Sequence, residues 1–103
     1  MFARRISATV RSGRLEELVG FVEEAGATEV AQQSGFLGAI LMSNPNSDEV
    51  VALTFWKTEA EMAASENTDK FNHRIAKVAH LLTSPRMIEH FNVEIRLGKI
   101  FDG

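Results

Sequence analysis

Apolar and polar residues alternate from the start of the chain. Phe2, Ile6, Ala8 and Val10 fall on one side of an extended segment, with Arg4 interrupting them; Ala3, Arg5, Ser7 and Thr9 fall on the other. A period of two predicts a half-buried strand over residues 2–10. Arg11-Ser12-Gly13 breaks it, and Ser12 is placed to cap a helix. Leu15, Leu18, Val19, Val22 and Ala25 then recur at helical spacing, opposite Glu16, Glu17, Glu23 and Glu24. They predict a helix over 14–25 with Gly26 as its stop. Residues 27–33 leave room for a further short helical piece.

Two strands are predicted next, over about 36–43 and 49–57. Phe36, Gly38, Ile40 and Met42 face one way in the first, and Leu37, Ala39 and Leu41 the other. The second sets Val51, Leu53 and Phe55 against Val50, Ala52, Thr54 and Trp56. Asn44-Pro45-Asn46-Ser47-Asp48 between them is rich in turn formers. Thr58-Glu59-Ala60-Glu61 reads as a capping box, with the Thr58 hydroxyl bonded to the Glu61 amide and the Glu61 carboxylate reaching back to the amide of Thr58. It opens a short helix to about Ser65. Asn67-Thr68 breaks and caps again. Phe71, Ile75, Val78 and Leu82 form the stripe of a longer helix, ended by Thr83-Ser84-Pro85. Residues 87–97 alternate once more and predict a long last strand, with Ile88, His90, Asn92, Glu94 and Arg96 on one face. A short tail follows from Gly98.

The order strand, helix, strand, strand, helix, strand predicts an α+β, ferredoxin-like βαββαβ fold with a four-stranded antiparallel sheet. Two helices cover one face of such a sheet. The middle strands are apolar on both faces, so the uncovered face needs another partner. A second copy packed on it, sheet to sheet, is the expectation: a homodimer forming a dimeric α/β barrel.

Length and composition narrow the classes. The 103 residues are expected to form a single domain, 1–103. Net charge is −3 and basic residues are scattered, so neither nucleic acid nor an acidic membrane is an expected partner. There is no cysteine, which excludes disulfides, thiolate catalysis and cysteine-held metal. No apolar run reaches the roughly 20 residues of a membrane span, and no signal core opens the chain. The expected location is cytoplasmic.

Two stretches carry a family resemblance. Ser34-Gly35-Phe36-Leu37-Gly38 and Phe55-Trp56-Lys57-Thr58-Glu59-Ala60-Glu61 resemble the antibiotic biosynthesis monooxygenase group of the dimeric α/β-barrel superfamily, as does the element order. That group includes cofactor-independent oxygenases of phenols or quinols, haem-degrading enzymes and proteins without assigned activity. The haem-degrading pattern is disfavoured. The first strand has no asparagine, Ala63-Ala64-Ser65 has no tryptophan, and His73 is not convincingly at the ligand position. No cofactor and no metal are expected: there is no phosphate-binding loop and no His-Glu-x-x-His. His73 and His80, seven apart, are about 10 Å apart along a helix, too far for one metal.

Four residues stand out as candidates. His90 and Asn92 share a face of the last strand; His90 suits a general base and Asn92 an orienting amide, unless that face is simply wet. Trp56 and Phe71 are candidate walls for an aromatic small molecule, unless both are packing. Arg4 or Arg5 must point inward, toward an anionic substrate or into an ion pair such as one with Glu94. An electron-rich phenolate can reduce oxygen itself, so such an enzyme needs only a base, orientation and a dry pocket. The alternatives are a non-catalytic ligand-binding or stress-associated module and a structural dimer with a filled cavity.

Overall fold

The computed structural model describes residues 1–101. Strand β1 (Phe2–Thr9) leads to helix α1 (Leu15–Thr28), strands β2 (Phe36–Ser43) and β3 (Glu49–Trp56), helices α2 (Glu59–Glu66) and α3 (Asp69–Val78), and strand β4 (Met87–Asn92). Short 3-10 turns lie at Val30–Gln32, Ala79–Leu81 and Lys99–Phe101. The sheet is antiparallel in the order β2-β3-β1-β4, the ferredoxin-like arrangement.

Register decides which side chains meet. Arg4 lies opposite Thr54 on one side and His90 on the other. Directly opposed residues share a face, so Ala39, Thr54, Arg4 and His90 form one row across the sheet. Trp56, Phe2 and Asn92 form the next row. Both rows face the helices. The opposite face carries Ile40, Met42, Val51, Leu53, Phe55, Ala3, Arg5, Ser7, Met87, Glu89 and Phe91.

The helix-side core has two parts. Val10, Leu18, Val50 and Leu81 are buried together under α1, flanked by Leu15, Val22, Leu41 and Val78. Trp56, Met62, Phe71 and Arg4 are buried under α2 and α3.

Several features depart from the predictions, among them the end of α3, which passes at Val78 into a 3-10 turn instead of running on to Leu82. The last strand ends at Asn92 rather than 97. Its partner β1 begins at Phe2, opposite Asn92, and only the Val93 amide still reaches a carbonyl, that of Met1 at 3.0 Å. Helix α1 runs through Gly26 to Thr28, and its last carbonyl bond is from the Glu29 amide to Ala25 at 2.9 Å. Ser12 does not cap it. The helix starts after Arg14, whose guanidinium pairs instead with Glu17 at 2.7 Å. Finally, the pairing register shifts between Phe36 and Gly38, so Leu37 is a bulge. Phe36 therefore faces the helices while Gly38, Ile40 and Met42 face away, breaking the uniform alternation expected for that strand.

Candidate functional site

The two stretches that carry the family resemblance meet in space. The Ser34 hydroxyl donates to Glu61 at 2.5 Å, the Lys57 amide to the Gly35 carbonyl at 2.8 Å, and the Phe36 ring meets the edge of Trp56 at 5.6 Å. Thr58 caps α2 as predicted, accepting from the Glu61 amide at 3.1 Å. The Glu61 carboxylate goes to the hydroxyls of Thr58 and Ser34 rather than to the Thr58 amide. Those two hydroxyls hold its carboxyl below the usual range. The joint anchors the end of β3 and thereby fixes Trp56.

Trp56 is fully buried and its indole N–H donates to Thr54 at 2.9 Å, so that donor is taken by the protein itself. Phe71 is buried in the first turn of α3, after the Thr68 cap, which accepts from the Phe71 amide at 3.0 Å. Between the two rings lies Arg4, only 3% exposed, its guanidinium carbon 5.3 Å from the Trp56 ring centre and 5.1 Å from that of Phe71. Contacts of this kind hold a cation by the negative ring faces.

Arg4 is also hydrogen-bonded at one end. Its Nη1 donates to Ser65 at 2.6 Å and approaches Glu66 Oε1 at 3.4 Å. The Ser65 hydroxyl in turn donates to the Met62 carbonyl at 2.6 Å. The buried Nε–H has no partner among the described residues. Burial pushes Arg4 below its ordinary value, against the pull of Glu66, yet a guanidinium remains a cation.

The same oxygen of Glu66 reaches His90. The Nε2 to Oε1 distance is 2.6 Å, with the His90 side chain 45% exposed and that of Glu66 20%. Asn92, one rung along, donates to Glu94 at 3.1 Å and is exposed. The helix-side face of β4 thus carries His90 and Asn92 at the rim, with Arg4, Trp56 and Phe71 behind them. His90 joins the buried group through Glu66; Asn92 does not.

Of Arg4 and Arg5, expected to point to opposite faces, Arg4 points in and pairs with Glu66. Arg5 points to the other face and pairs with Glu89 at 2.7 Å, not with Glu94. His73 and His80 are both exposed, on or beyond α3. No cluster of three metal-binding side chains occurs among the described residues. Two clefts open elsewhere. One, of about 500 Å³, lies at the end of the sheet between Leu37, Lys57 and residues 93–96; the other, of about 420 Å³, lies between α1 and α3. None of the four candidate residues lines either cleft.

Sequence reasoning missed Glu66, Ser65 and Thr54. Each is a common polar residue with no motif around it, and only the register and the α2–sheet contact bring them to Arg4.

Residues 1–77 match the family model described as antibiotic biosynthesis monooxygenase, and the chain belongs to that family. Solved structures agree on the fold. A variant of SnoaB, a cofactor-independent oxygenase from Streptomyces nogalater, is 18% identical with a TM-score of 0.79, over 95% of this chain and 97% of that one. A Nitrosomonas europaea protein of unknown function is 20% identical with a TM-score of 0.77, over 95% and 93%. Rv0793 from Mycobacterium tuberculosis is 15% identical with a TM-score of 0.76, over 94% and 98%. No curated protein sequence matches the chain. No helix of the described residues is long and apolar enough to cross a membrane.

Proposed function

We propose that this chain is a cofactor-independent monooxygenase of a phenolic or quinol-type aromatic compound, working in the cytoplasm as a homodimer. Family membership and the fold shared with SnoaB support the class. The observation that carries the assignment is the 2.6 Å bond between His90 and Glu66 beside the Arg4 cation.

His90 is the proposed base. It takes a proton from the acidic form of the substrate, leaving an electron-rich anion that reduces oxygen directly. At a ring carbon bearing one hydrogen, one oxygen atom becomes the new carbonyl oxygen. The other leaves as water with that hydrogen and the phenolic proton, and all the electrons come from the substrate. Asn92 is the proposed orienting amide, and Trp56 with Phe71 the aromatic backing of the site. The dimer rests on the uncovered sheet face, where Ile40, Met42, Met87 and Phe91 are all exposed.

Oxygen consumption with a panel of phenols, naphthols and quinols tests the reading. Turnover under air, none under nitrogen, and loss of turnover in His90→Ala are expected. Uptake unchanged in that variant removes His90 as base.

One observation favours a second reading, a non-catalytic or structural dimer. Arg4 fills the space between Trp56 and Phe71, leaving both rings buried. No thermal stabilisation by any aromatic compound in the panel, together with no oxygen uptake, would select it.

A further inference from the structure

We infer that Glu66 is the positioning residue for His90, holding the ring so that Nδ1 is the atom that takes the proton. The inference rests on His90 as the base proposed above. A carboxylate offers only lone pairs, so the proton in the 2.6 Å bond belongs to His90 Nε2. That leaves Nδ1 with its lone pair free, and among the described residues no group is bonded to it.

Three features make the arrangement more than a surface contact. Glu66 follows directly on buried Ser65 at the end of α2, so its backbone is fixed by packing. Its Oε1 is anchored on the other side by Arg4, itself clamped by Ser65, Trp56 and Phe71. His90 sits directly opposite Arg4 in the sheet, so the strand pairing sets the two side by side, and Glu66 on α2 reaches both. A base, a carboxylate on its far nitrogen and a fixed support for that carboxylate is the logic by which acid–base histidines are oriented.

The proton path balances. Nδ1 gains the substrate proton, and the electron pair of the broken bond stays on the substrate. Nε2 keeps its own proton, still donated to Glu66. The imidazolium then faces a carboxylate that stabilises it, until Nδ1 gives the proton back to reduced oxygen on its way to water.

The test combines nitrogen-15 spectra of the histidine rings with steady-state kinetics. In the parent protein His90 should be a single Nε2–H form with a slowly exchanging ring proton. Glu66→Ala should give a mixture of ring forms with fast exchange, and lower kcat at least about tenfold with KM little changed. Glu66→Gln keeps the shape and an acceptor, and should hold the ring form while still lowering kcat. It also serves if Glu66→Ala fails to fold. Leu18→Ala, in the separate core under α1, should lower the melting temperature without altering the ring form or kcat.

A ring form and kcat unchanged in both Glu66 variants, in a protein that His90→Ala inactivates, would overturn the inference alone. An active His90→Ala protein would overturn the reading beneath it. Equal losses of kcat and ring form in Leu18→Ala and the Glu66 variants would reduce the effect of Glu66 to stability alone.

Discussion

A single methyl group tests the joint between the two family stretches. Gly35 has φ of +81°, where side chains with a Cβ are strained, and that Cβ would run into the Glu61 side chain. Gly35→Ala should lose about 1–2 kcal/mol from the backbone alone, with more from the displaced carboxylate, as read by chemical denaturation. Glu61 itself gives a pH signature. Its carboxyl titrates lower in the fold than in the open chain, because Ser34 and Thr58 bond its charged form. The stabilisation is therefore complete above the ordinary carboxylate range and lost as the pH falls through the folded value. Melting temperatures of the parent and Glu61→Gln should differ at neutral pH and converge in acid. At this scale the sequence was half legible. Thr58 and Glu61 were readable as a pair, because their bond is local. Arg4 was readable only as an arginine that must point one way or the other. Its partners lie 61 and 62 residues away, and nothing local indicates them.

Elements were easier to read than their ends. Alternation and helical stripes placed all four strands and the main helices, since each pattern is a property of contiguous residues. The ends depend on what lies opposite. β4 stops where β1 runs out, although Val93, Ile95 and Leu97 continue the alternation. Leu37 bulges, and a period-two reading cannot foresee a shifted register. The break between α2 and α3 was legible because each helix has its own cap. Thr58→Ala and Thr68→Ala should each lose about 1 kcal/mol, measured by thermal or urea unfolding. The Thr68 variant bears on the site as well, because the cap sets the first turn that carries Phe71.

At the scale of the molecule, the two sheet faces behave differently. The helix side closes over a core in which Leu81 is almost fully buried, and Leu81→Ala should cost about 2–5 kcal/mol. The far side exposes Ile40, Met42, Met87 and Phe91 around the Arg5–Glu89 pair, and Phe101 covers only one corner by meeting the Phe55 ring edge at 6.3 Å. If a second copy covers the rest, Ile40→Glu combined with Phe91→Glu should halve the mass seen by sedimentation while leaving the far-ultraviolet spectrum intact. The alternation of apolar residues already announced this face. What it could not announce was that the opposite face carries a charged centre, because one arginine among Phe2, Ile6 and Ala8 looks like an interruption rather than a core residue.

The central position of β1 has a consequence for how the chain assembles. The first of the four sheet strands to be synthesised is hydrogen-bonded on both edges, by β3 and by β4. Its second edge stays open until residues 87–92 have left the exit tunnel. A topology so dominated by distant pairings folds slowly for its size. The Arg4 cation, already drawn under α2 by the first pairing, meets His90 only in the final closure. A nascent chain arrested before β4 would thus hold the aromatic clamp but not the acid–base pair. The step that completes the fold would be the same step that completes the site.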